Sequence, residues 1–188
     1  MEQLEAGLEA IRVAPKDHGR LALIVRRPET EQREVVQQAE LSLVEGLVGD
    51  NWKRRGSSRT PDGSAHPELQ LTMMNSRVTE LVAQGHDRWS LAGDQLYIDL
   101  DLSTDNLPPG SRLAIGSAVI GITAYPHTGC RKFAARYGQD AVKFVNSDLG
   151  RGLRLRGVYA KVVRPGLIRV GDSVMKHLTN ALTQKTPE

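Results

Sequence analysis

The residues best placed to do chemistry surround the single cysteine of the 188-residue chain, in the run Tyr125-Pro126-His127-Thr128-Gly129-Cys130-Arg131-Lys132-Phe133. A thiol acts as nucleophile or metal ligand only as thiolate, and nearby positive charge or a helix N-terminus favours that form. Cys130 follows a Thr-Gly pair, has His127 three positions before it, and is followed by the cations Arg131 and Lys132. Residues 118–124 are β-branched and apolar, whereas residues 131–137 are helix formers. The thiol is therefore expected where a strand gives way to a helix whose first N-H groups are free. Two roles stay open on these grounds: a reactive or ligating thiolate, or a small buried apolar side chain.

Two further stretches carry polar side chains at glycine bends. Gly46-Leu47-Val48-Gly49-Asp50 leads into Asn51 and Trp52, and Gly93-Asp94-Gln95-Leu96 repeats the pattern of glycine, acid and amide. Glycine permits left-handed backbone or the close approach of a ligand, so each bend is either structural or part of a pocket wall. A basic cluster, Lys53, Arg54, Arg55 and Arg59, lies in residues 53–67, which read as a long loop. Its cations are either a solvated surface or contacts for a phosphate. The five histidines, His18, His66, His86, His127 and His177, show no metal-ligand spacing, and no spacing marks one as the base of a cysteine hydrolase.

Composition narrows the classes. The hydrophobic share is 39%, with 25% charged residues, which fits an ordinary globular domain, and no run approaches the ~18 apolar residues of a membrane span. One domain over residues 1–188 is expected, with a core at about 19–174 and a frayed tail at 176–188. Residues 1–10 are acidic and lack the features of a signal peptide, so the expected location is the cytoplasm. The net charge of +3 favours anionic partners. Aromatic residues are only 4%, so stacking surfaces for single strands are sparse, and nucleic acid is not an expected partner.

The elements that must position these groups are mostly short strands. Residues 20–25, 69–73, 97–102, 112–115, 118–124, 158–163 and 167–170 read as strands from their apolar runs and alternation. Residues 33–43 lean towards extended structure. Residues 4–11 and 76–83 read as helices, the second capped by Asn75 and stopped at Gly85. Residues 134–145 read as helix broken near Gly138, residues 146–152 as loop, and residues 153–156 alternate. Many short strands with few helices point to a mainly β, α+β fold built on a mixed barrel.

In order along the chain, these blocks resemble the MOSC domain, the family of molybdenum cofactor sulfurase C-terminal domains. They are Gly46 to Asp50, Gly93 to Leu96, Leu107-Pro108-Pro109-Gly110-Ser111-Arg112-Leu113 with Ile115-Gly116, Cys130, Gly157 to Val162, and Pro165 to Asp172. The run from His127 to Phe133 is similar to that of small stand-alone bacterial members. Many members read Gly-Glu-Asn-Leu where this chain has Gly93-Asp94-Gln95-Leu96, and the histidine common after the first Gly-Asp is replaced by Asn51-Trp52-Lys53.

The resemblance implies a β-barrel whose cleft holds the pyranopterin of the molybdenum cofactor, molybdopterin. Cys130 would be the molybdenum ligand and His127 a hydrogen-bond donor or proton relay. Asp50, Asn51, Arg77, Asp94, Gln95, Thr128, Gly129, Arg131 and Lys132 would contact the cofactor. It also implies reduction of small N-oxygenated substrates with a separate redox partner. The alternative is a sulfur carrier using a Cys130 persulfide loaded by a cysteine desulfurase. Pyridoxal phosphate would enter only through a separate sulfurase partner. Outside the family's chemistry, a binding module using the basic loop remains a third reading.

Overall fold

A computed structural model describes residues 1–177 of the chain. Seven strands close a barrel: β1 (His18–Arg26), β5 (Leu71–Asn75), β6 (Leu96–Asp99), β7 (Arg112–Ile115), β8 (Ala118–Ile122), β9 (Val158–Arg164) and β11 (Ser173–His177). The order around the ring is β11-β7-β8-β9-β5-β6-β1, closed by antiparallel pairing of β1 with β11, His18 opposite Met175. Only β5 and β6 run parallel among these pairs. Parallel neighbours need a crossover. Here it consists of helix α4 (Ser76–Ala83) and a 3₁₀ stretch (His86–Ala92). A short β2 (Glu34–Val36) extends β1, while β3 (Gln38–Ser42), β4 (Gly46–Leu47) and β10 (Gly166–Arg169) form a second sheet.

The alternation of strand side chains divides the apolar residues into two bodies. Leu21, Ile24, Met73, Ile98, Leu113, Ile120, Ala160 and Val174 fill the barrel, joined by Ala39, Leu41 and Ile168 from the second sheet. Leu23, Val25, Met74 and Tyr97 face outward from the barrel and pack under the helices with Val78, Phe133 and Phe144. A register shift between Leu21 and Leu23 in β1 puts Ala22 and Leu23 both on the helix side. A bulge sets two residues against one, which lets one strand serve both cores.

Helices α1 (Glu2–Ala6), α2 (Leu8–Arg12), α3 (Trp52–Arg55), α5 (Arg131–Tyr137), α6 (Gln139–Asn146) and α7 (Asp148–Gly152) complete the described elements. The expected mixed barrel with added helices is the fold observed. Several local expectations are corrected. Residues 146–152 are not a loop: Ser147 caps α7 by accepting a hydrogen bond from the Gly150 N-H at 2.9 Å. Residues 153–156 form turns, with Arg154 at φ 48°, because Leu155 and Arg156 are both buried rather than alternating. The basic stretch begins as helix α3, since Trp52 is buried beneath it. Gln84 rather than Gly85 takes the left-handed cap of α4.

Lys176 and His177 belong to β11, paired with β7, instead of starting the frayed tail. The rest of that expectation, residues 178–188, lies outside the described residues. No helix among the described residues is long and apolar enough to cross a membrane.

Candidate functional site

Strand β8 ends at Ile122, and residues 123–130 carry the chain to α5. The segment is pinned one residue before the thiol: the Gly129 N-H donates to Asn146 Oδ1 at 2.8 Å, and Asn146 Nδ2 donates to the Gly129 carbonyl at 3.0 Å. Cys130 takes the N-cap position of α5, and its carbonyl accepts from the Ala134 N-H at 3.0 Å. Phe133, only 1% exposed, fixes the helix to the outer core, so the opposite side of its first turn faces outward. The thiol is exposed. Of the two roles open to it, burial as an apolar side chain is excluded.

Cys130 lines a cleft of about 290 Å³ together with Arg27, Arg33, Asn51, Arg55, His127, Lys132, Arg136, Arg156 and Tyr159. Six of these residues are cationic. That volume sits near the lower end of the ~300–1,000 Å³ usual for small-molecule pockets.

The walls are built by buried carboxylates. The Asp50 carboxylate, a fully buried side chain, takes both edges of the Arg27 guanidinium: Nε donates to Oδ2 at 2.8 Å and Nη2 to Oδ1 at 2.9 Å. Arg27 Nη1 donates to the Gly93 carbonyl at 3.0 Å, tying the first glycine bend to the second. Asp94, also fully buried, accepts from Arg156 Nη1 at 2.7 Å, and Arg156 Nη2 reaches the Ala92 carbonyl at 3.1 Å. His127 stacks on Tyr159 with ring centres 4.5 Å apart, and its Nδ1 stands 3.7 Å from Asp94 Oδ1.

Several buried polar atoms here have no partner among the described residues: Asn51 Oδ1, Asp94 Oδ1, His127 Nδ1, Arg156 Nε and Arg33 Nε. Buried polar groups are nearly always paired, so a concentration of orphans in one cleft calls for a ligand or a function.

Burial is the first cause of the shifts at His127 and Asp94. It lowers the His127 pKa well below its ordinary value, helped by the charges of Arg156, Arg27 and Arg59, so the imidazole is neutral at pH 7. Burial raises the Asp94 carboxyl, opposed by Arg156. At the mouth, Glu31 is held down to about 2, first by its hydrogen bond from Lys132 and then by that from Arg136. Both ion pairs measure 2.6 Å.

The residues expected to contact a cofactor separate into groups. Cys130, His127, Asn51 and Lys132 line the cleft. Asp50 and Asp94 stand behind it, orienting Arg27 and Arg156. Gln95 is buried in the scaffold, its Oε1 accepting from the Thr72 N-H at 2.7 Å and Oγ1 at 2.8 Å. Gly129 is the pinned hinge described above. Thr128 faces a separate cavity of about 420 Å³, and exposed Arg131 does not line the cleft. Arg77 is placed elsewhere: it pairs with Asp99 at 2.6 Å and donates to the Ala10 carbonyl at 2.8 Å.

The basic cluster is dispersed as well. Arg54 pairs with Glu29, Arg55 turns into the cleft, and Arg59 lies over Tyr125, which is bonded to His66 at 2.8 Å. Sequence reasoning missed Arg27, Arg33, Arg136, Arg156 and Tyr159. The arginine pair Arg26-Arg27, set between the strand at 20–25 and Pro28, was the available sign for Arg27. The others carried none.

Comparison with known proteins agrees with this architecture. The MOSC domain model matches residues 62–175, more than half of the chain. No curated protein matches it. Among solved structures, YuaD from Bacillus subtilis is similar at 14% identity and TM-score 0.55, covering 85% of this chain and 96% of that one. YiiM from Escherichia coli is similar at 17% identity and TM-score 0.55, covering 84% and 69%. YiiM from Geobacillus stearothermophilus is similar at 12% identity and TM-score 0.56, covering 85% and 75%. At these identities the likeness speaks for the fold.

Proposed function

The chain belongs to the MOSC domain family, which is associated with molybdenum cofactor binding, and from that premise we propose that its cationic cleft holds this cofactor, with Cys130 as the molybdenum ligand. The observation that carries the reading is the exposed thiol on a cleft lined by six cations and several orphaned buried polar atoms. Those donors fit the group: thiolate is a soft ligand for a transition metal, and guanidinium groups suit its phosphate and anionic ligands. When bound, the cofactor supplies a two-electron centre able to accept an oxygen atom. The proposed reaction is reduction of a small N-oxygenated compound. The N-O bond breaks, the nitrogen takes two electrons from a separate redox partner, and oxygen leaves as water with two protons.

The chain's residues orient and hold protons. Asp94 sets Arg156, Asp50 sets Arg27, and both guanidinium groups offset negative charge in the cleft. Neutral His127 is able to donate or accept a hydrogen bond without adding charge, which suits a proton relay more than an anion anchor. Asn51 offers a buried amide to a heterocycle edge.

The test is purification from cells that synthesise the cofactor, followed by molybdenum and pterin analysis of the gel-filtered protein. Both should co-elute with the chain, and Cys130→Ser should lose the metal. Protein free of both refutes the assignment. A reduced-viologen assay with N-hydroxylated compounds then addresses the reaction.

Exposure of Cys130 favours a second reading, carriage of sulfur as a persulfide, because a carrier thiol must meet its donor directly. Incubation with a cysteine desulfurase would add the mass of one sulfur atom to the wild type and none to Cys130→Ala. An unchanged wild-type mass removes this reading.

A further inference from the structure

The cleft carries more positive charge than its carboxylates balance. Arg27 is committed to Asp50 and the Gly93 carbonyl, and Arg156 to Asp94 and the Ala92 carbonyl. Lys132 and Arg136 share Glu31. Glu29, which also lines the cleft, is taken by Arg54.

Two guanidinium groups remain. Among the described residues Arg33 has one side-chain hydrogen bond, from Nη1 to the Gln32 carbonyl at 2.6 Å, and its buried Nε has no partner. Arg55 is an exposed residue that lines the cleft together with Leu69 and Tyr159, and its side chain has no hydrogen bond or ion pair among the described residues.

Their placement is unfavourable without a counter-charge. Burial is the main cause that lowers the pKa of each, and the charge of Arg27 lowers both further. Arg136 adds to the effect at Arg33. Like charges kept together in a partly desolvated cleft, with free N-H groups, form a receptor for an anion. A phosphomonoester carries about −1.5 to −2 charges at pH 7 and accepts the paired N-H groups of a guanidinium fork, matching the two unpaired groups. Asn51 lies in the same wall, 7% exposed, with its amide oxygen orphaned. Exchanging the amide oxygen and nitrogen would turn a third donor to the same oxygens.

We propose that Arg33 and Arg55, aided by the Asn51 amide, form a clamp for a phosphomonoester inside the thiol cleft. The clamp rests on that cleft being the ligand site of the proposed function, but it does not require the metal. Two sources share this chemistry: the phosphate of the pterin cofactor, and a phosphorylated small molecule that binds beside it.

The first experiment uses cofactor-free protein from a host that does not make the cofactor. It is titrated calorimetrically with inorganic phosphate against chloride of equal ionic strength. Saturable binding is expected, weaker by about tenfold or more for each of Arg33→Gln and Arg55→Gln. It should be lost in the double variant and partly kept in Arg33→Lys/Arg55→Lys. Phosphate should raise the melting temperature of the wild type and leave that of the double Gln variant unchanged. Removing either group relieves repulsion on Arg27, so the variants should melt at or above the wild type; should one fail to fold, the Lys pair serves in its place. Wild type without saturable binding, or equal affinity in wild type and double variant, overturns the clamp.

Protein from cofactor-making cells separates the sources. If the cofactor's phosphate fills the clamp, the double Gln variant elutes without pterin and loaded wild type takes up no inorganic phosphate. If a separate substrate fills it, the double variant retains pterin and loaded wild type still binds phosphate. Wild type holding neither molybdenum nor pterin, with phosphate binding that still depends on Arg33 and Arg55, sinks the cofactor reading and leaves the clamp standing.

Discussion

Asp94 binds Arg156 through one carboxylate oxygen at 2.7 Å and holds the other, Oδ1, 3.7 Å from the Nδ1 of His127. The second distance is too long for a hydrogen bond, and both atoms are buried without partners among the described residues. One carboxylate thus keeps a cation in place and presents a free oxygen to a neutral imidazole beside the thiol cleft.

Removing that charge should be costly to the fold. In Asp94→Asn, Arg156 keeps the Ala92 carbonyl and its contact over the Phe133 ring, but it loses its counter-ion. Breaking a buried pair from one side costs about 3–5 kcal/mol, whereas replacing both partners by apolar residues is often neutral. Urea unfolding should therefore rank Asp94→Asn well below the double variant Asp94→Leu/Arg156→Met. The reverse order would show that the pair does not hold this wall.

His127 should make stability depend on pH. Burial, then Arg156, Arg27 and Arg59, lowers its folded pKa well below its ordinary value of 6.5. As pH falls through that value the unfolded chain binds a proton that the folded one refuses. Stability should then drop by up to about 1.4 kcal/mol per pH unit below roughly 6.5. His127→Gln removes this loss, so the variant should gain on the wild type between pH 7 and pH 5. Parallel stability curves over that range would place the imidazole in contact with water.

Glu31, at φ 63°, ties residues 28–33 to the helix turn that follows the thiol. Its carboxyl is held down to about 2, so the tie should persist in mild acid and be lost only as pH falls towards that value. Glu31→Gln leaves Lys132 and Arg136 without their shared carboxylate, which raises the positive field at Cys130. Reaction with the dianionic Ellman's reagent should quicken by roughly two- to fivefold at low salt and converge with wild type near 1 M salt. An unchanged rate at low salt would mean that Glu31 has no influence on the thiol.

Gly157, at φ 98°, closes the turn that leads into β9, beside the neighbouring strand β5. An added Cβ would lie 2.0 Å from the Met73 carbonyl oxygen, a backbone atom that cannot move aside. Gly157→Ala should therefore cost several kcal/mol or abolish soluble expression. Gly152 in α7 has no atom within 4 Å of an added Cβ, so Gly152→Ala should be neutral or stabilise by up to about 1 kcal/mol. Equal melting temperatures for the two variants would contradict the packing of β5 on β9.

The barrel was legible in the sequence because its strands are apolar runs with turn residues at their ends, and β1, β8 and β9 kept the places their composition predicts. Strand β11 was not, although it closes the ring. Val174 is its only fully buried apolar side chain, so its membership depends on edges offered by β1 and β7. Helix α7 was hidden for a similar reason, since a run of Asn, Ser, Asp and two glycines reads as a loop until Ser147 caps it.

At the site, composition and spacing singled out Cys130, the glycine bends at Asp50 and Asp94, and His127, because their chemistry is local. Whether the thiol was buried or open was a matter of packing. Phe133 turns inward and Gly129 is pinned to Asn146, and together these leave the cap residue facing solvent. The cations around it come from segments far apart in the chain: Arg27 at the end of β1, Arg33 before β2, Arg55 in α3, Arg136 in α5 and Arg156 before β9. No local pattern marks them as a group. Closure of the barrel brings them to one wall, where buried Asp50 and Asp94 and exposed Glu31 decide which are neutralised and which remain free for an anion.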